Sequence, residues 1–305
     1  MTNSAETPPL NVKRPQPRTI VSSTPSITVL TIRRLLRNNL GRLGLIVVAF
    51  LILVGLFAPW LAPYDPIQQH EGMELTAPSA QFLLGTDELG RDLLSRIIYG
   101  ARISLVVGVA AVAFGAVVGI STGLLAGYSG GWGDAIVMRI WDTVMAFPGI
   151  LLGIAIAAIL GPGLFNAGIA VGILSMPSYA RMARAGMLTE QNRDYVIAAR
   201  AMGTGRLRII FQHILPNALA PILTQVALGM AGAVFLEAGM SFLGLGAQPP
   251  RPSWGSMIAQ SRAYLRLAPW YGIAPGVAIS LFLIGLNALA DGLRDALDPT
   301  HIEGK

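Results

Sequence analysis

The feature that most constrains this chain is a series of apolar stretches too long and too free of charge for a water-soluble core. Leu43 to Leu61 runs 19 residues without a charged side chain. At about 1.5 Å per residue that crosses a hydrocarbon layer about 30 Å thick. Five more apolar stretches follow, Ile103 to Ala126, Ile136 to Leu160, Phe165 to Ala180, Ala218 to Leu236 and Trp270 to Ala290. The expectation is an all-α membrane protein with six transmembrane helices. Gly108, Gly115, Gly119 and Gly123 recur at close spacing. Such residues let helices approach where lipid supplies no hydrophobic drive to associate, so the spans should pack as a bundle.

Composition narrows the chemistry. Of the 305 residues 53% are hydrophobic and 12% charged, and none is cysteine, which excludes disulfides, thiolate nucleophiles and cysteine metal sites. His70, His213 and His301 belong to no spaced ligand motif, so no metal site is expected. The two lysines are Lys13 and Lys305, and neither follows a glycine-rich turn as a phosphate-binding loop requires. If the protein's work consumes ATP, another chain hydrolyses it. The net charge of +6 comes mostly from arginines beside apolar runs, which reads as a membrane topology signal and not as a nucleic-acid surface.

Along the chain, residues 1–26, rich in Pro, Ser and Thr, read as a disordered tail. Residues 27–42 form a basic amphipathic stretch suited to the membrane surface, and 43–61 the first span, a retained anchor. Residues 62–102 form an outer loop and the entry to the second span. A five-helix core over 103–290 contains an inner loop at 181–216 and an outer loop at 239–269. Residues 291–305 are a C-terminal tail. Arginine and lysine placement gives the orientation. Seven lie in the leading tail and amphipathic stretch, six in the inner loop, and Arg294 and Lys305 near the end. Only Arg91, Arg96, Arg102, Arg251, Arg262 and Arg266 fall outside. Both termini are thereby expected in the cytoplasm. The run Gln248-Pro249-Pro250-Arg251-Pro252 cannot be regular helix, so it is read either as a stiff connector or as a surface that meets a delivered substrate or a binding protein.

The inner loop is too long for a tight helical hairpin. Tyr195 to Met202 favours helix, Gly203-Thr204-Gly205 breaks it, and Arg206 to Ile214 resumes an amphipathic pattern that Leu215-Pro216 closes. Two short helices meeting at a glycine corner under the membrane are expected. Their small face, Ala198, Ala199 and Ala201, suits insertion into another protein's groove. An amphipathic loop resting on lipid headgroups fits the pattern equally well.

Ala198-Ala199, Gly203 and Leu215-Pro216 keep the spacing of the "EAA" loop of bacterial ABC importer permeases, although Ile197 stands where Glu is usual and His213 where Ile is usual, with Ile214 one place on. Three further stretches resemble the C-type permease of dipeptide, oligopeptide and nickel importers. They are Gly85-Thr-Asp87 through Ser104-Leu105, Ser241-Phe-Leu-Gly-Leu-Gly-Ala-Gln-Pro-Pro250 with Pro252-Ser-Trp-Gly255, and Asp291 through Pro299. The resemblance covers about Arg33 to Pro299. It implies the MetI-like type I permease fold with cytoplasmic coupling helices. It also implies docking of Tyr195, Ala198, Ala199, Arg200, Gly203, Arg206, Leu215 and Pro216 on an ATPase. The implied partners are a B-type permease, two cytoplasmic ATPase subunits that bind the ATP and Mg, an extracytoplasmic substrate-binding protein and membrane lipid. The chain itself would carry no cofactor.

Three ionisable groups near the spans are candidates in their own right. Arg139 and Asp142, three apart on one helix face, suggest an intramembrane ion pair, used either structurally or for gating or substrate contact. Glu237, near the outer end of the fifth span, is either a helix-end acid in a wet vestibule or a contact on the substrate path. The rival to an ATP-driven importer is a secondary transporter driven by an ion gradient, which usually carries acids or broken helices at mid-membrane.

Overall fold

The computed structural model describes residues 27–297, with side chains from residue 31. The tail expected over 1–26 and the last part of the tail expected over 291–305 lie outside the described residues. Among the described residues every regular element is helical, apart from an isolated bridge between Thr86 and Asp92. The helix α1 (Ile27–Arg37) is separated from α2 (Asn39–Leu56) by Asn38, whose side chain accepts from the Leu40 and Gly41 amides and caps α2. The amphipathic stretch expected over 27–42 is therefore divided, and the first span begins at Asn39. It ends at Leu56, before the short α3 (Ala58–Leu61), which carries Pro59 in its first turn.

Next comes α4 (Leu93–Ser129), capped by Asp92, which accepts from the Ser95 amide. It starts ten residues before the apolar run at Ile103 because polar Ser95 and Arg96 are buried against the preceding loop and do not interrupt the helix. The expected third span, Ile136 to Leu160, is two helices, α5 (Gly131–Ala146) and α6 (Gly149–Leu160). They bend by 95° at Phe147-Pro148, where proline cannot continue the helix. Then follow α7 (Leu164–Glu190), α8 (Asp194–Ala201), a single turn α9 (Arg206–Arg208), a π turn (Ile209–Ile214) and α10 (Leu215–Phe242). The chain closes with α11 (Trp254–Ser261) and α12 (Pro269–Leu297).

Among the described residues four helical stretches are long and apolar enough to cross a membrane: α2, α4, the run Arg206–Phe242 and α12. The α5–α6 pair makes a fifth if counted as one span. The 27 residues of α7 have the length, but Arg181, Arg184 and Glu190 make its last turns polar. The packing shows how the chain travels. β-Carbons placed on Gly115, Gly119 and Gly123 would fall 2.7, 2.5 and 2.1 Å from the carbonyl oxygens of Gly172, Met176 and Ala180. That register rises along both helices, so α4 and α7 run parallel at backbone contact, and α5–α6 must carry the chain back between them. Conversely, a β-carbon on Gly44 would meet the Leu289 amide nitrogen at 2.3 Å and one on Gly292 the Gly41 Cα at 2.3 Å, so α2 and α12 are antiparallel. Over the described residues the chain thus passes six times between two ends, a path compatible with six spans. The start of α2, the ends of α4, α7 and α12, and all of α8 share one end.

The opposite end is capped by the 62–92 and 243–268 loops packed on each other. Asp87, fully buried, accepts from Arg91 Nε at 2.6 Å and lies 3.3 Å from Arg96 Nε. Arg96 also donates to the Pro66 carbonyl, and the Tyr271 hydroxyl donates to the Glu88 carboxylate. The proline run leads into α11, capped by a reciprocal Ser253–Ser256 box. This end is a packed lid.

Candidate coupling site

The inner-loop segment is built on the end of α7. Asp194 in the first turn of α8 and Arg200 in its last turn both complement the helix dipole. The Tyr195 hydroxyl donates to Glu190 at 2.7 Å, tying α8 back to α7. Partial burial, then this hydrogen bond, pushes the Tyr195 pKa up to about 12. At the far end of α8 the Gly203 amide donates to the Arg200 carbonyl and the Thr204 amide to the Ala199 carbonyl, both at 3.1 Å, with Gly203 at φ +77°. This is a Schellman cap, and its left-handed position favours glycine because a β-carbon there clashes with the backbone. The glycine of the motif is thus explained by helix termination before any partner is considered.

One side of the segment is anchored. Val196 packs with Ala183 and Met187 of α7, Leu124 of α4, and Ile209, Ile210 and Ile214 of the π turn, and Ala199 is buried as well. Burying side chains such as Val and Ile stabilises by about 1.5–3 kcal/mol each. The wider π turn sends three isoleucines inward while Phe211 and Gln212 stay exposed and His213 is half-buried. The second short helix expected at Arg206 to Ile214 is therefore no separate flat element. It is the first part of the fifth span, continuous with α10.

The other side faces away from this packed cluster. Ile197, Ala198, Arg200, Ala201, Met202, Gly203, Arg206 and Leu207 are exposed, with Met202 at 79%. The Arg200 guanidinium stands 5.7 Å above the Tyr128 ring. Of the residues expected to dock, Tyr195, Ala198, Arg200, Gly203 and Arg206 lie on this outward side and Pro216 is exposed in the first turn of α10. Ala199 corrects the expected small face: it is buried within the protein itself, and Leu215 is half-buried. A helix resting on a core spends one face on it, which sequence adjacency does not reveal. The outward ridge that replaces the alanine face is Ile197, Ala198, Ala201 and Met202.

The other candidates are rearranged. Arg139 does not pair with Asp142. The Asp142 carboxylate faces α7 and takes Arg181 at 2.7 Å, while Arg139 lies on an exposed side of α5. A second pair, Arg184 to Asp134, joins the same two helices through two bonds of 2.6 and 2.5 Å. Glu237 stands in no wet vestibule. It is fully buried, accepting from Ser104 of α4 at 3.2 Å and from Ser241 at 2.7 Å, closed off from any passage in this conformation. Ser104 and Ser241 could be flagged in the sequence only as small polar residues in apolar runs, and the meeting of Ser104 with Glu237 across 133 positions leaves no local signal.

Residues 119–302 match the family described as the binding-protein-dependent transport system inner membrane component. The chain belongs to that family. Residues 26–78 match the N-terminal transmembrane domain of oligopeptide transport permease C. The di/tripeptide transport system permease protein DppC of Pseudomonas aeruginosa is 49% identical over 269 residues, 86% of this chain and 89% of that protein. The glutathione transport system permease protein GsiD of Pectobacterium atrosepticum is 44% identical over 268 residues, 88% of this chain and 89% of that protein. The methionine ABC transporter MetNI in an inward-facing conformation matches with a TM-score of 0.56 at 20% identity, over 67% of this chain and 96% of that one, a likeness of fold. This protein is therefore a multi-pass permease subunit of an ABC importer with the MetI-like fold. It is not a catalytic subunit, and ATP is hydrolysed by separate ATPase subunits.

Proposed function

We propose that this permease forms half of a passage for dipeptides or closely related peptide-like solutes, paired with a B-type permease and fed by an extracytoplasmic substrate-binding protein. The substrate class rests on the relatives named for di/tripeptide, dipeptide and glutathione transport. The end that carries α8 faces the cytoplasm in this reading, and with it both termini, in line with the arginine-rich segments at that end. The Asp87 lid then faces outward, toward the binding protein.

The observation that carries the coupling is the exposed ridge of Ile197, Ala198, Ala201 and Met202 on a helix whose other face is locked into the bundle. Such a helix can seat in a groove of the ATPase and pass its displacement to the spans, because its buried side cannot slide independently. Its Schellman cap sets the direction in which the ridge points. Ala198, Arg200, Gly203 and Arg206 are the contact residues in this reading, with Tyr195 bracing the helix from α7.

The test is uptake of labelled dipeptide into liposomes that contain the complete transporter, with binding protein and ATP supplied. Gly203→Pro, which removes the amide of the cap, is expected to leave the subunit in the membrane and abolish both uptake and substrate-stimulated ATP hydrolysis. Survival of both activities sinks the coupling assignment. Uptake of sugars but not of peptides sinks the substrate class.

A further inference from the structure

We propose that Arg181 and Arg184 are positioning residues for transport, joining the coupling end of α7 to α5 through Asp142 and Asp134, so that a displacement of α8 reaches the bent α5–α6 crossing. This rests on the reading of α8 as the docking element. Four observations support it.

First, α5 is a rod with no buried residue. At 16 residues it is about 24 Å long, and it gains little hold from packing. Second, both of its ends are joints. Gly130 and Gly131 lie at its start with φ +62° and +54°, where an added β-carbon would meet nothing within 4 Å, so these glycines serve backbone direction and not close packing. Phe147-Pro148 follows it with the 95° bend into α6. A rigid segment between two joints moves as a lever if something grips it.

Third, the side-chain grip is electrostatic and directional. Arg184 Nε and Nη2 meet the two oxygens of Asp134 at 2.6 and 2.5 Å in a fork-to-fork arrangement, and Arg181 Nη2 meets Asp142 Oδ1 at 2.7 Å. Two pairs spaced along α5 fix its angle as well as its distance from α7, which one pair could not. Partly exposed pairs of this kind contribute little to folding, so a purely structural role accounts poorly for two of them on one short rod. Fourth, the grip is placed beside the coupling element. Arg184 lies between Ala183 and Met187, the α7 residues that hold Val196 of α8, so the arginine and the coupling helix share one packed block. The far arm, α6, reaches Met240 and the end of α10 through Gly153 and Ile150, within the bundle's interior.

Proximity alone does not establish coupling between two sites; a shift in a linked function does. The measurement uses the complete transporter in liposomes, with assembly, binding-protein-stimulated ATP hydrolysis and peptide uptake read on the same preparation. Arg184→Ala and Asp134→Ala are each expected to assemble and to hydrolyse ATP within about twofold of the parent, while peptide taken up per ATP falls about tenfold. The exchange of Asp134→Arg with Arg184→Asp should recover most of that loss. Unchanged uptake per ATP in both single variants overturns the proposal, as does failure of the exchange variant to recover it. If Arg184→Ala does not assemble, Arg181→Gln on the more exposed pair is measured in its place: a similar fall in uptake per ATP supports the lever, and unchanged uptake per ATP overturns it. Failure of the docking reading is distinguishable, because it would show as Gly203→Pro keeping both stimulated hydrolysis and uptake, which no result at Arg184 can produce.

Discussion

The indole of Trp254 lies against Gly100 of α4. A β-carbon on Gly100 would sit 2.7 Å from Trp254 Cδ1, and the indole Nε1 donates to the Ile97 carbonyl at 3.0 Å. The same ring meets Phe282 of α12 edge-on at 5.8 Å between centroids. One side chain from α11 thus joins two spans at the end opposite α8.

Trp254→Ala should therefore lower the stability of the purified permease in detergent by about 3–5 kcal/mol, the usual cost of emptying a large aromatic site. Trp254→Phe should cost less, because it keeps the contact with Phe282 and loses the hydrogen bond to Ile97. Thermal unfolding of the three proteins side by side checks this; equal midpoints for parent and Trp254→Ala would contradict the role given to the indole.

A second expectation concerns Asp87, which lies between the buried guanidinium groups of Arg91 and Arg96 and also accepts from the Leu89 and Arg91 amides. Asp87→Asn keeps the shape and removes the compensating charge. Leaving buried arginines without it should cost about 3–5 kcal/mol. Limited proteolysis of the 62–92 loop is the direct readout: the variant should be cut at least as fast as a partly unfolded control, and a resistant variant would show that Asp87 does not hold the lid.

The two faces of α8 should separate cleanly under substitution. Ile197→Glu and Met202→Glu, on the exposed ridge, are expected to weaken pull-down of the ATPase subunits while leaving the melting temperature of the isolated permease unchanged. Val196→Ala, on the buried face, is expected to cost about 1–3 kcal/mol of stability. Loss of stability from Met202→Glu, or none from Val196→Ala, would mean the faces are assigned the wrong way round.

Much of the architecture was legible because membrane helices announce themselves through composition. The long apolar runs in the sequence correspond to α2, α4, α7, α10 and α12. Their boundaries were less legible. The expected start at Ile103 missed ten residues of α4 because Arg96 looks like a span terminator until Asp87 is seen beside it. Ile136 to Leu160 looked continuous because its apolar character carries across Phe147-Pro148, and only the backbone direction reveals the 95° turn.

At the coupling segment the glycine could be read in advance, since a left-handed helix cap is a local requirement carried by local residues. The alanines could not be divided in the same way. Ala198 and Ala199 are neighbours in sequence, yet one is exposed and the other buried. Likewise Asp142 had an arginine three places away and pairs with another 39 places on, because α4 and α7 run parallel and bring α7 alongside α5.

The sequence by itself determined that this chain is an all-helical membrane protein without thiol chemistry or a phosphate-binding loop, since apolar length, missing cysteines and misplaced lysines are properties of the residues alone. The tertiary structure alone decided which face of α8 is free, that the third crossing is broken, and which acids the arginines of α7 hold. Those outcomes depend on which helices lie side by side, and that is set by backbone contact at scattered glycines, a relation between distant positions that no local pattern records.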